Sequence, residues 1–183
     1  MIQVRRGVFE TNSSSSHSIC IAKEIAEPIP EKIIFHPVYA GRSEKEIPAS
    51  DYLYAAIASH GQEYCEEAKE IIGEFLDRRN VKYEFQPITW QTDWDYSYEC
   101  NVDHPAEIRD FTNKILNDEN MLACFLFGDS VVYTGEYDDR SMVAEDGEWC
   151  YEDVQDENGN WTIAKYKNPY YHPEKYTYYF KGN

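Results

Sequence analysis

This chain has no stretch near the roughly 18 consecutive apolar residues that a membrane span requires. No apolar run follows Arg5 and Arg6 either, so the N-terminus does not read as a cleavable export signal. C-x-x-C pairs are absent: Cys20, Cys65, Cys100, Cys124 and Cys150 stand far apart. An odd count without an export signal favours reduced thiols, several of them buried as small apolar groups. Zinc needs a ligand cluster, and Cys100 with His104 forms only an isolated C-x3-H. No metal and no cofactor is expected. Also missing are the G-x-S-x-G elbow of hydrolases, the glycine-rich phosphate loop, the calcium loop and the H-E-x-x-H helix. With neither an export signal nor a membrane span, the chain is expected to be soluble and intracellular.

Basic residues are the scarcest of all. Seventeen Lys plus Arg face 34 Asp plus Glu, for a net charge of −17. The imbalance is local. Residues 91–160 hold nineteen acids against three bases, whereas residues 1–50 hold six of each and 161–183 hold one acid and four bases. Such a surface repels nucleic acid and anionic membranes and attracts basic proteins. Hydrophobic residues at 42% and aromatics at 15% are enough for a folded chain, and 183 residues suit a single domain spanning 1–183.

The chain opens with alternation at Ile2 and Val4, a polar stretch, then "SICIA": strand, loop, strand. Four prolines (Pro28, Pro30, Pro37 and Pro48) interrupt the next segment, leaving Ile33–Phe35 strand-like. Ser50 or Asp51 is placed to cap a helix through Ala58. A second helix is expected from about Gln62 to Arg79, with Cys65, Ala68, Ile72, Phe75 and Leu76 on one stripe. Val81, Tyr83 and Phe85 alternate as a strand. Pro105 opens a third helix whose apolar face is Ile108, Phe111, Ile115 and Leu116. "MLACFLFG" is either a buried strand or a short core helix, and periodicity does not decide. "SVVYTGEY" reads as a strand. "EWCYEDV" and "WTIAKYK" flank Asn158-Gly159, a strong hairpin signal, with hairpin 148–167 inside the acidic region 91–160. "KYTYYF" is expected to extend that sheet. The fold class is α+β, two or three helices on a mostly antiparallel sheet with a C-terminal β-hairpin.

The stretch "FETNSSSSHS", residues 9–18, looks catalytic at first sight. Ser–His chemistry needs hydroxyl and imidazole in contact and a third group to orient the base. In an extended strand Ser16 and His17 point to opposite faces, while Ser15 and His17 share one. Arg5 and Arg6 with the hydroxyls could cradle an anion, yet no glycine lies between Phe9 and Ser18. The simpler expectation is a structured turn in which Asn12 and the serines bond local backbone. Arg5, Arg6, Asn12, Ser14 and His17 are therefore a structural loop or an alternative site. The other histidines, His36, His60, His104 and His172, stand alone, and three of them precede proline.

From Trp90 to Trp161 the acids are interleaved with Trp94, Tyr96, Tyr98, Tyr133, Tyr137, Trp149 and Tyr151. Tyr and Trp are typical energetic anchors of interfaces, and carboxylates around them suit an Arg- or Lys-rich partner. On charge density the binding residues are Asp138, Asp139, Glu145, Asp146, Glu148, Glu152, Asp153, Asp156 and Glu157, with Trp149 and Tyr151 as anchors. The competing reading makes the aromatics sheet core and the acids its wet face.

"RRGVFETNSSSSHSI", residues 5–19, resembles the N-terminal signature of small proteins of phages and mobile elements of gut Firmicutes and Bacteroidetes, and "LFGDSVVYTG", residues 126–135, resembles the same group. With its size and acidity, the chain is similar to type II-A anti-CRISPR proteins. The resemblance implies a non-enzymatic, stoichiometric inhibitor in the cytoplasm of a bacterial host. Its partner would be an RNA-guided DNA nuclease, which holds nucleic acid in positively charged channels, and direct nucleic-acid contact is not favoured. The alternatives are a nucleotide-directed hydrolase or transferase using the Ser/His loop, and a non-catalytic structural or regulatory phage protein.

Overall fold

A computed structural model describes residues 15–41, 45–91, 95–103, 105–136, 148–167 and 171–182. The fold is α+β. Its main sheet is antiparallel and four-stranded, in the order β10 (Tyr176–Gly182), β1 (Ser15–Ala22), β7 (Val131–Glu136), β4 (Lys45–Glu46). Ile19 of β1 lies opposite Phe180 on one side and Val132 on the other. Two short parallel pairs accompany it: β2 (Lys32–Phe35) with β5 (Lys82–Phe85), and β3 (Tyr39–Ala40) with β6 (Asn101–Val102).

Four helices appear among the described residues. The first, α1 (Ala49–Ala58), is buried on every side from Tyr52 to Ala58 and touches the other helices, β7 and the small strands. A short helix with no polar face belongs in the middle of a core. Its start differs from the expected one. Pro48 occupies the cap position without a side-chain bond, and Asp51 instead accepts the amide of His36 at 2.9 Å. The carboxylate is thus committed to the β2–β3 connection.

In α2 (Gln62–Asp77) the expected stripe of Cys65, Ala68, Ile72, Phe75 and Leu76 is buried. Its first amide is capped from a distance by Asp95, which accepts from Gln62 N at 3.0 Å. The helix stops at Asp77 rather than Arg79, because Asn80 takes a left-handed conformation (φ 56°) and Val81 N returns to Leu76 O. Helix α3 (Pro105–Leu116) buries Ile108, Phe111 and Ile115.

The ambiguous "MLACFLFG" is helix α4 (Glu119–Phe127). Asp118 decides it: its carboxylate accepts from Asn120 N and Met121 N, both at 3.0 Å. Satisfying those amides favours a helical start over a strand. At the other end Gly128 lies so close to the Cys124 carbonyl and to Ala22 that any side chain would collide with backbone.

Two expectations are overturned. Ser15 to Ser18 are part of the central strand β1, not a turn, and His17 is fully buried there. A strand hydrogen-bonded on both sides has no need of local Ser-to-backbone bonds. The rest of the expected loop, with Arg5, Arg6, Asn12 and Ser14, lies outside the described residues, as does the Ile2–Val4 strand. Secondly, β10 does not extend the hairpin; it pairs with β1 across the main sheet.

Candidate functional site

The hairpin is β8 (Trp149–Gln155) and β9 (Trp161–Lys167), paired from Trp149↔Lys167 to Gln155↔Trp161. Its loop is built around Asp156. The backbone oxygen of Asp156 accepts from Gly159 N at 3.0 Å, and Asp156 N donates to Asn160 O at 2.9 Å. Gly159 sits at φ 80° with open space where a side chain would project, so conformation rather than room selects glycine. A four-residue turn whose last residue is a left-handed glycine is a standard hairpin loop. The Asp156 carboxylate also accepts from Asn160 N, Asn158 N and Asn160 Nδ2. Those bonds, chiefly from Asn160, hold its pKa below the usual aspartate value. Asp156 therefore serves the turn first and carries its charge into acid conditions.

β8 and β9 form a two-stranded sheet of their own, and neither pairs with a third strand among the described residues. None of the hairpin side chains that are described is buried. Register places Trp149, Tyr151, Asp153 and Gln155 on the same face as Lys167, Lys165, Ile163 and Trp161. Trp161 is 70% exposed, Ile163 67% and Trp149 41%. The Lys165 ammonium lies 4.1 Å from the centre of the Trp149 ring, a cation–π contact that fixes the indole across the two strands.

The expected binding residues divide as follows. Glu148, Asp156 and Glu157 are exposed at the base and tip of the hairpin. Trp149, the expected anchor on β8, is exposed. Tyr151, Glu152 and Asp153 are placed on β8 by its backbone. Asp138, Asp139, Glu145 and Asp146 lie outside the described residues. Trp161 and Ile163 were missed. Counting alternate residues back from Lys167 would have put both on the Trp149 face. The other aromatics separate too. Trp90 packs against the core, while Tyr98 is 66% exposed and stacks edgewise on Tyr96 at 4.7 Å.

The alternative Ser/His site is arranged differently. His17 is enclosed, its ring 5.9 Å from that of Tyr52 on α1, and it faces away from Ser18 across the strand. Cys20, Cys65 and Cys100 are buried free thiols, each pushed up to about 12 by loss of solvation, which suppresses the nucleophilic thiolate. His60 is pulled down to about 4, mainly by burial and secondly by Arg109. Its Nε2 lies 3.4 Å from Thr112 Oγ1. Two surface histidines pair with carboxylates: His36 Nδ1 with Asp51 at 3.2 Å and His172 Nδ1 with Glu174 at 3.0 Å. Among the described residues no group of three His, Cys, Asp or Glu is arranged to hold a metal ion, and no helix is long and apolar enough to cross a membrane. His104 lies outside the described residues.

Comparison of the chain with protein-family models, curated proteins and solved structures finds no match.

Proposed function

We propose that this protein acts by binding another protein through the 148–167 hairpin. The observation that carries the reading is the exposure of Trp149, Trp161 and Ile163 on one face of a hairpin that stands outside the main sheet. Large apolar side chains held rigidly at the surface are the usual energetic centre of an interface. Carboxylates at Glu148 and Glu157 flank them, and with the −17 net charge they favour a basic partner and steer its approach. The resemblance of residues 5–19 and 126–135 to phage and mobile-element proteins gives that partner a class: an RNA-guided DNA nuclease, inhibited stoichiometrically and without turnover.

The test is a titration of guide-loaded type II nuclease with purified protein before target DNA is added. Inhibition that saturates near one protein per nuclease, and weakens with salt, supports the proposal. Replacing Trp149 and Trp161 by Ser should abolish it. Inhibition far below stoichiometry after preincubation would instead mean an enzyme, and no effect on any type II nuclease would remove the nuclease as partner.

A further inference from the structure

We infer that the outer edge of β8 accepts an extended basic segment of the partner as a third strand of the hairpin sheet. This deepens the proposed binding function and rests on it. A two-stranded hairpin by itself is marginal in water, and three strands are the smallest sheet with independent stability. β8–β9 has only two among the described residues, and its described side chains make no buried core of their own. Addition of one strand supplies the missing ladder.

The two edges are chemically unequal. β9 reads "WTIAKYK", with Lys165 and Lys167 and no acid, and lysine on an edge strand is a standard guard against unwanted pairing. β8 reads "WCYEDVQ", with no lysine and no proline, and carries Glu152 and Asp153 between Glu148 and the Asp156-Glu157 tip. The unguarded edge is therefore the acidic one. An incoming strand with Arg or Lys opposite the 152 or 153 position meets opposite charge there.

Two other occupants fit less well. A second copy pairing β8 with β8 about a two-fold axis would set the acidic 152–153 positions of the two copies against each other, which is repulsive. Head-to-tail addition of β9 from a second copy leaves an open edge at each step, giving filaments, and stacks chains of −17 charge on one another. Single-stranded nucleic acid would place phosphates beside an acidic strand.

The experiment uses the full chain, isotope-labelled for amide NMR, with a blocked synthetic peptide of about ten residues alternating Arg and Thr, at the upper end of usual strand lengths. Expected is saturable binding, with shift changes and slowed amide exchange concentrated at 149–155. A peptide of equal charge with proline at every third position should bind about tenfold more weakly, because it cannot complete a ladder. Glu152→Lys with Asp153→Lys should weaken the Arg–Thr peptide by about tenfold or more, whereas Lys167→Glu should not weaken it. Unchanged amide shifts at 156–160 establish that each variant keeps its hairpin. Equal binding of the proline peptide means charge attraction only and overturns the inference. So does protection at 161–167, competition by oligo-dT for the 149–155 amides, or growth in particle size with concentration. Peptide binding without nuclease inhibition would sink the nuclease assignment alone, and inhibition insensitive to the Glu152/Asp153 change would sink the strand addition alone.

Discussion

His17 of the central strand and Tyr52 of the core helix face each other with ring centroids 5.9 Å apart, both completely buried. Tyr52 in turn meets Phe111 edge-on at 6.1 Å. The imidazole is therefore part of the seam between sheet and helices. His17→Ala should lower the unfolding free energy by about 2–4 kcal/mol, as for other large-to-small core changes, measurable by urea denaturation. If His17→Ala abolished activity with stability unchanged, a chemical role for this residue would be restored.

Tyr52 presents the opposite case. Its hydroxyl is buried and makes no hydrogen bond among the described residues, and burial drives its pKa well above the ordinary tyrosine value. Removing an unsatisfied buried polar atom while keeping the ring should be neutral or stabilising by up to about 1 kcal/mol. Tyr52→Phe should therefore raise the thermal midpoint slightly or leave it alone. A loss of more than about 1 kcal/mol would mean that the hydroxyl has a bonded partner.

Helix α4 depends on one side chain. Asp118→Ala removes the acceptor for Asn120 N and Met121 N and should cost about 1 kcal/mol. Asp118→Asn should retain most of that. Chemical denaturation of the two variants side by side is the check.

Stability should also fall with acid through His60. Its folded-state pKa of about 4 lies below the ordinary 6.5, so on acidification the unfolded chain takes up the proton first. The contribution is complete above 6.5, declines between 6.5 and about 4, and levels off below that. His60→Gln should flatten this part of the stability profile. Its imidazole titration, followed by NMR, should have a midpoint well under the free-histidine value; a midpoint near 6.5 would contradict the buried environment.

Much of this fold was legible. The α2 stripe, the Pro105 start and the hairpin around Asn158-Gly159 all follow from local period and turn chemistry, which neighbours in sequence determine. What could not be read was long-range. Nothing local tells "KYTYYF" to pair with β1 instead of β9, because both choices satisfy the same alternation. Asp95 caps α2 from 33 positions away. The serine run misled for the same reason: its composition favours a turn, and its neighbours β7 and β10 make it a strand. On the candidate site, charge density singled out the acids of the hairpin, but the exposed face described there is carried by Trp149, Trp161 and Ile163, with lysines beside them.

Substitutions at the hairpin should separate binding from folding. Trp161→Ser with Ile163→Ser exposes no core, so the thermal midpoint should shift little, within the roughly 0.5 kcal/mol typical of surface changes, while partner binding falls by about tenfold or more. Gly159→Ala, which puts a side chain at φ 80°, should disturb amide shifts only between 155 and 161. A large drop in global stability from either would show that the hairpin packs on the core.

The order of strands in the main sheet bears on how the chain is made. β1 precedes both of its partners, residues 131–136 and 176–182, so the centre of the sheet stays unsatisfied until synthesis has passed residue 182. During that interval Ile19 and Ile21 form part of an unpaired apolar strand, a surface open to chaperones and to mispairing. Contacts so distant in sequence also slow folding. Truncation before β10 should leave a product that fails to fold, and not merely one that lacks an edge strand.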